Sequence, residues 1–220
     1  LGFPSSVMRP FYHVKVYLDP PEDLCTVWKI KRDTSKRGYT ADQVREEMVK
    51  REPDSRDYIR PRRKHADIVV RFSPPPGVAP EDAGPVLNVR LTLRPTIPHP
   101  DLSYLVDRQG EEAGIRLKLG RADGLPADFL EIDGCVTAEH AQELEDVIWQ
   151  HLPDLQPLRE DMFGEYQDRT EVKHSHPLAL TQLLLTYHLL RKYKDLSSLP
   201  FAPPVAALSR MQAAPLVEVQ

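Results

Sequence analysis

The run Trp28-Lys29-Ile30-Lys31-Arg32-Asp33-Thr34-Ser35-Lys36-Arg37-Gly38 places five cations, Lys29 to Arg37, around one carboxylate, Asp33. A guanidinium presents a planar fork of donors that fits phosphate oxygens, and it stays charged at any working pH. Lysine adds a compact point charge. Such a cluster, interrupted by a single acid, suits a site that clamps a polyphosphate and its metal ion. The competing meaning is a solvated basic helix face, the commonest origin of a charge run. A second basic run follows, Arg60-Pro61-Arg62-Arg63-Lys64-His65. Residues 29–71 hold 14 Lys and Arg against 8 Asp and Glu, in a chain whose net charge is -4. A basic island in an acidic protein points to a local anionic ligand and away from nucleic acid.

Elements must hold these cations in place. His13 to Leu18 alternates polar and apolar residues, a strand pattern. Asp19-Pro20-Pro21-Glu22 then reads as a helix start, with Asp19 as cap and Glu22 and Asp23 at the positive dipole end. This helix is expected to run through Leu24, Val27, Trp28 and Lys31 and to stop at Gly38. Thr40 and Gln43 form a capping box for a second helix to about Arg51, ended by Pro53, with a short turn over residues 54–58. Ala66 to Phe72 is a compact apolar run, expected as a buried strand of a parallel sheet. Ser73-Pro74-Pro75-Pro76-Gly77 breaks the chain, so a boundary is placed in residues 73–85. Three strands are predicted beyond it, Val86 to Leu93, Gly114 to Leu119 and Asp128 to Ile132. Two amphipathic helices follow, from Thr137 to about Leu152 and from Leu178 to about Tyr193. The domain scheme is therefore 1–72, 86–193 and a mobile Pro/Ala-rich tail over 194–220.

Composition narrows the function classes. With 220 residues and 40% hydrophobic content the chain makes one medium domain, or a domain with an appendage. No apolar stretch approaches the ~18 residues of a membrane span, and the start shows no signal peptide. Cys25 and Cys135 make neither a disulfide framework nor a metal motif, which fits reduced thiols in a cytoplasmic protein. His174 and His176 are weak as a metal pair, and His188 reads as a core-edge residue.

The first basic run resembles the lid segment of the phosphoribulokinase/uridine kinase family of P-loop kinases, a Lys-x-x-Arg-Asp-x-x-x-Arg-Gly pattern carried here by Lys29, Arg32, Asp33, Arg37 and Gly38. The second resembles that family's Pro-x-Lys-x-Ala-Asp segment on the adenine side of the nucleotide, through Pro61, Lys64, Ala66 and Asp67. Beyond residue 85, Phe129 to Gly134, Val147 to Leu152, Phe163-Gly164-Glu165 and Leu180-Thr181-Gln182-Leu183 resemble the phosphoribulokinase branch. The implied fold is α/β: the C-terminal part of a P-loop kinase parallel sheet plus a small mixed-sheet and helical extension. The implied activity is ATP-dependent phosphorylation of ribulose 5-phosphate, with ATP and Mg²⁺ as cofactors. Lys29, Arg32, Asp33 and Arg37 are then the catalytic candidates, and Arg32, Arg37, Pro61 and Lys64 the nucleotide-binding ones. For Asp33 the resemblance implies metal or substrate positioning, while an ordinary salt bridge to Lys29 or Arg37 stays open.

The partners implied are small molecules, with no nucleic acid and no membrane. Enzymes of this kind are often dimers, so a homodimer is an open expectation. A nucleoside or other sugar kinase is one alternative, and a non-catalytic anion-binding or assembly module is another. No G-x-x-x-x-G-K-[ST] loop occurs in the chain, and Leu1 is not preceded by Met. The sequence therefore reads as an interior fragment, inactive alone and poorly folded or associating, because its first strand lacks parallel neighbours. Residues 114–127 carry no cysteine, so redox control through a pair there is not expected, and the short segment leaves open a different sugar phosphate.

Overall fold

Runs rich in Val, Ile and Leu build one five-stranded sheet. The computed structural model describes residues 5–84, 86–105, 114–153, 163–168 and 171–197. The strands are β1 (Val16–Leu18), β2 (Ile68–Ser73), β3 (Asn88–Leu93), β4 (Ile115–Ala122) and β5 (Leu125–Ile132), in the order β1-β2-β3-β5-β4. Between β1 and β2 the chain makes α1 (Glu22–Lys36) and α2 (Ala41–Asp54). After β5 come α3 (Ala138–Gln150), a hairpin of β6 (Glu165–Asp168) and β7 (Glu171–His174), and α4 (His176–Ser197).

The core lies between one sheet face and the helices α3 and α4. Ile68, Val70, Val89, Leu91, Leu130 and Ile132 alternate onto that face, where Leu144, Ile148 and Trp149 of α3 and Leu183, Leu184 and Tyr187 of α4 cover them. Each such side chain contributes ~1.5–3 kcal/mol by leaving water. Two of the resembled motifs meet here: the Gly164 N–H donates to Gln182 Oε1 at 2.7 Å. By contrast α1 buries only Leu24 and Asp33, and α2 only Val44. Helices of this length are marginal on their own. They form an arm inserted between β1 and β2, which meets the sheet where the Trp28 ring stands edge-on to Phe72 at 6.3 Å.

The α/β expectation holds, with a different sheet. β2 runs parallel to β1 and antiparallel to β3, and β3–β5 and β4–β5 are antiparallel too, so the sheet is mixed throughout. β2 and β3, on either side of that expected boundary, are neighbouring strands of the same sheet. Strand β1 begins at Val16, because the Lys15 backbone is taken by Asp67: Lys15 N–H donates to Asp67 Oδ2 at 2.7 Å. Asp19 does not cap α1; Pro21 holds that position, and the Asp19 carboxylate turns to Arg63 and Arg71. α2 passes through Pro53, because its exposed last turn relaxes into a π-helical turn, Ser55–Ile59, followed by a 3-10 turn, Arg60–His65. The β6–β7 hairpin is unanticipated, and α4 runs to Ser197, beyond the predicted end at Tyr193. The rest of the predicted tail, 198–220, lies outside the described residues.

Two outcomes follow from this packing. A Cβ on Gly134 would stand 2.9 Å from Leu87 N and 3.0 Å from Leu87 C, backbone that cannot swing away. Gly134→Ala should therefore destabilise the chain by ~1–3 kcal/mol, read as a lowered urea midpoint at unchanged m. His188, 3% exposed, has its Nε2 3.2 Å from His99 Nδ1. Burial pushes the His188 imidazole down to about 4, with His99 adding to the effect. The unfolded chain thus binds a proton near pH 6.5 that the folded one refuses until about 4. Stability should be fully present above about pH 6.5 and fall by ~1.4 kcal/mol per pH unit on acidification. Thermal melts of His188→Gln should show a shallower loss across that window.

Candidate functional site

The lid-like run sits at the far end of α1. Arg32 grips Asp33 with two parallel bonds, Nε to Oδ1 at 2.7 Å and Nη2 to Oδ2 at 3.1 Å. Arg37 Nη1 approaches Asp33 Oδ1 at 3.5 Å. Arg37 is the C-cap residue, its N–H donating to the Asp33 carbonyl at 3.2 Å, and Gly38 then turns the chain with φ 70°. Both guanidiniums stay open to solvent, with side chains 52% and 58% exposed, whereas Asp33 is 4% exposed. The Arg32 bonds hold the Asp33 carboxyl below the usual range, with Arg37 and Lys29 adding to the effect. Lys29, Arg32, Asp33 and Arg37 are thus gathered at one point, and the salt bridges Asp33 makes run to Arg32 and Arg37.

The second basic segment is held elsewhere. Pro61 opens the 3-10 turn that follows the arm, and Lys64 is exposed on it. Arg60, from the same turn, pairs with Glu22 at the start of α1 and with Glu52 of α2 at 2.8 Å. Glu22 and Arg37 stand at opposite ends of α1, roughly 20 Å apart at 1.5 Å per residue. Pro61 and Lys64 therefore mark the root of the arm, while Arg32 and Arg37 mark its tip. Asp67 is fully engaged as a fold residue, held by Lys15 Nζ at 3.0 Å and Thr96 Oγ1 at 2.8 Å.

Sequence reasoning passed over the ion network at this root. Arg63 reaches Asp19 through Nε at 3.0 Å and Asp123 through Nη1 at 2.8 Å. Arg94, 2% exposed, donates to the same Asp123 and to the Lys64 carbonyl. A signal was present: Asp123-Gly124 between two alternating runs marks a two-residue hairpin turn. Residues 114–127 are indeed most of that hairpin, with Asp123 at φ 53° and Gly124 at φ 79°.

Chemically, the arm tip can meet an oxyanion with two exposed guanidiniums. It is less suited to holding a metal. Both Asp33 oxygens are occupied, and no group of three or more His, Cys, Asp or Glu among the described residues is placed to bind one. His174 Nε2 lies 3.0 Å from the Phe163 carbonyl, and the His174 and His176 rings are 4.8 Å apart. No helix among the described residues is long and apolar enough to cross a membrane.

The chain is similar to known proteins over part of its length. The model of the phosphoribulokinase / uridine kinase family matches residues 2–78. A chloroplastic phosphoribulokinase of Chlamydomonas reinhardtii is 33% identical over 108 residues, which are 46% of this chain and 28% of that protein. A uridine kinase of Vibrio atlanticus is 36% identical over 64 residues, 29% of this chain and 30% of that protein. A solved phosphoribulokinase structure from Rhodobacter spheroides aligns with 69% of this chain and 50% of that one, at 19% identity and a TM-score of 0.43. The chain spans under a third of the length of these curated relatives. Residues 2–78, the part of the chain that matches the phosphoribulokinase / uridine kinase family, include the whole arm, its paired arginines at the tip and the basic turn at its root.

Proposed function

We propose that this chain supplies the lid and the C-terminal region of an ATP-dependent kinase that phosphorylates ribulose 5-phosphate in the cytoplasm. The observation that carries the reading is the arm tip: two solvent-open guanidiniums, preset on one carboxylate, at the end of a helix pair with almost no core of its own. Phosphoryl transfer asks a protein mainly for positioning and charge neutralisation, which such an arm provides when it closes. Arg32 and Arg37 would take phosphate oxygens, and Lys29 would add a point charge. Asp33 would keep both guanidiniums aligned. Mg²⁺ typically rides on substrate phosphates with one or two carboxylates, and the arm assigns it no cage of its own. Pro61 and Lys64 would meet the nucleotide from the root side. The longer match to phosphoribulokinase, 108 residues against 64 for uridine kinase, supports ribulose 5-phosphate over a nucleoside. A second copy of the chain is the macromolecular partner this reading carries.

Substrate choice is decided by steady-state assay of the complete enzyme with ATP and Mg²⁺ against ribulose 5-phosphate and uridine. Turnover of ribulose 5-phosphate alone is expected, and turnover of uridine alone overturns it. In the same enzyme, Arg37→Ala should lower kcat by ~10²–10³, as for other lost electrostatic donors. Arg37→Lys should restore part of this, because an ammonium lacks the bidentate fork. The melting temperature should barely move, since exposed ion pairs contribute ~0–1 kcal/mol. Turnover of Arg37→Ala within about twofold of wild type at saturating substrates would remove Arg37 from the site.

A further inference from the structure

The arm leaves the sheet after β1 and returns to it before β2, so its root is crossed twice by the chain. Asp19 precedes α1 and Arg63 follows α2, and their 3.0 Å bond closes the root on itself. Arg60 does the same with Glu22 and Glu52, on an exposed surface where salt screens the pairs. None of these bonds says where the arm points relative to the body. The contacts to Asp123 do. Arg63 Nη1 lies 2.8 and 2.9 Å from the two Asp123 oxygens, and Asp123 sits in the turn of a hairpin of two eight-residue strands. From the other side Arg94, on the loop just past β3, binds Asp123 and the Lys64 carbonyl, so one buried guanidinium holds both the turn and the root.

Stability alone does not account for this arrangement. Burying a guanidinium carries a desolvation cost, and an apolar side chain of similar volume often serves a fold as well or better. Here Arg94 Nε is left without a partner, a further cost. The hairpin turn itself needs only a residue that tolerates positive φ, and Asn or Gly would do so without a charge. A charged turn, a buried arginine and a forked arginine at the arm's root make sense together as a coupling.

We propose that Asp123 is a positioning residue: through Arg63 it fixes the pose of the α1–α2 arm on the sheet, so the β4–β5 hairpin sets the lid's resting position. This rests on the arm being the lid, but its test does not require activity. Hydrogen exchange of the intact 220-residue chain reads the arm directly. Arg63→Gln leaves Arg94–Asp123 in place, and it should speed exchange of the amides in Glu22–Asp54 by about tenfold or more while Ile115–Ile132 is unchanged. Asp123→Asn, which keeps the turn, should do the same, and the double variant should add little to either. Raising salt from ~0.05 to ~0.5 M should loosen the wild-type arm more than it loosens either variant, which keeps the screened Arg60 pairs.

Arm exchange within about twofold of wild type in Arg63→Gln overturns the proposal, whatever Asp123→Asn does. Fully additive effects, or acceleration confined to the hairpin, overturn it as well. If the arm loosens as expected and the complete enzyme phosphorylates neither test substrate, the coupling stands and the kinase reading falls. An active enzyme with an unmoved arm gives the converse.

Discussion

Strand β2 has to satisfy two directions at once. On one side Ile68, Val69 and Val70 run parallel with Val16, Tyr17 and Leu18; on the other the whole strand runs antiparallel with β3. These three residues are at most 1% exposed, so their backbone polar groups must be paired within the protein. A parallel partner demands a long crossover, and the α1–α2 arm is that crossover. An antiparallel partner begins a meander, and β3, β4 and β5 follow from it. The joint between the family-matched region and the rest is therefore a single buried strand, shared by both.

That strand was visible in the sequence as an unbroken apolar run, and so were α1, α3, α4 and the capping box of α2. Thr40 and Gln43 exchange their bonds at 2.9 and 3.2 Å, as the spacing implied. The direction of the neighbours was not visible. A run such as Ile-Val-Val records burial on both faces, and nothing in it distinguishes a parallel from an antiparallel partner. Asp19 shows a second limit. Before a Pro-Pro-Glu start it has every property of a cap, yet two arginines distant in sequence compete for it and win. Pro53 shows a third: whether proline ends a helix depends on what the following residues pack against, and here the exposed turn was free to widen. The site divides in the same way. The cations at the arm tip lie within one short segment and were legible, whereas Arg94 and Asp123 belong to different strands' ends and become a pair only in three dimensions.

The contrast between body and arm has an energetic basis. The sheet, the two helices over it and the loops beside them share 21 buried side chains in one cluster, and none belongs to α1 or α2. With Leu24 and Val44 as its buried apolar residues, the arm has little packing to fix its pose, and the charged tethers at its root bear more directly on where it points.

Asp33 has a consequence for which ions the tip prefers. Lys29, Arg32 and Arg37 together with their shared carboxylate carry a formal charge of plus two, and Lys31 and Lys36 of the same run add to it. The carboxylate acts as a resident counter-ion, keeping the guanidiniums from splaying when nothing else is there. On the proposed reading, an arriving anion would compete with it for the two forks, and a doubly charged one would gain more than a singly charged one. The arm tip would then discriminate by the ionisation of its guest more than by its shape.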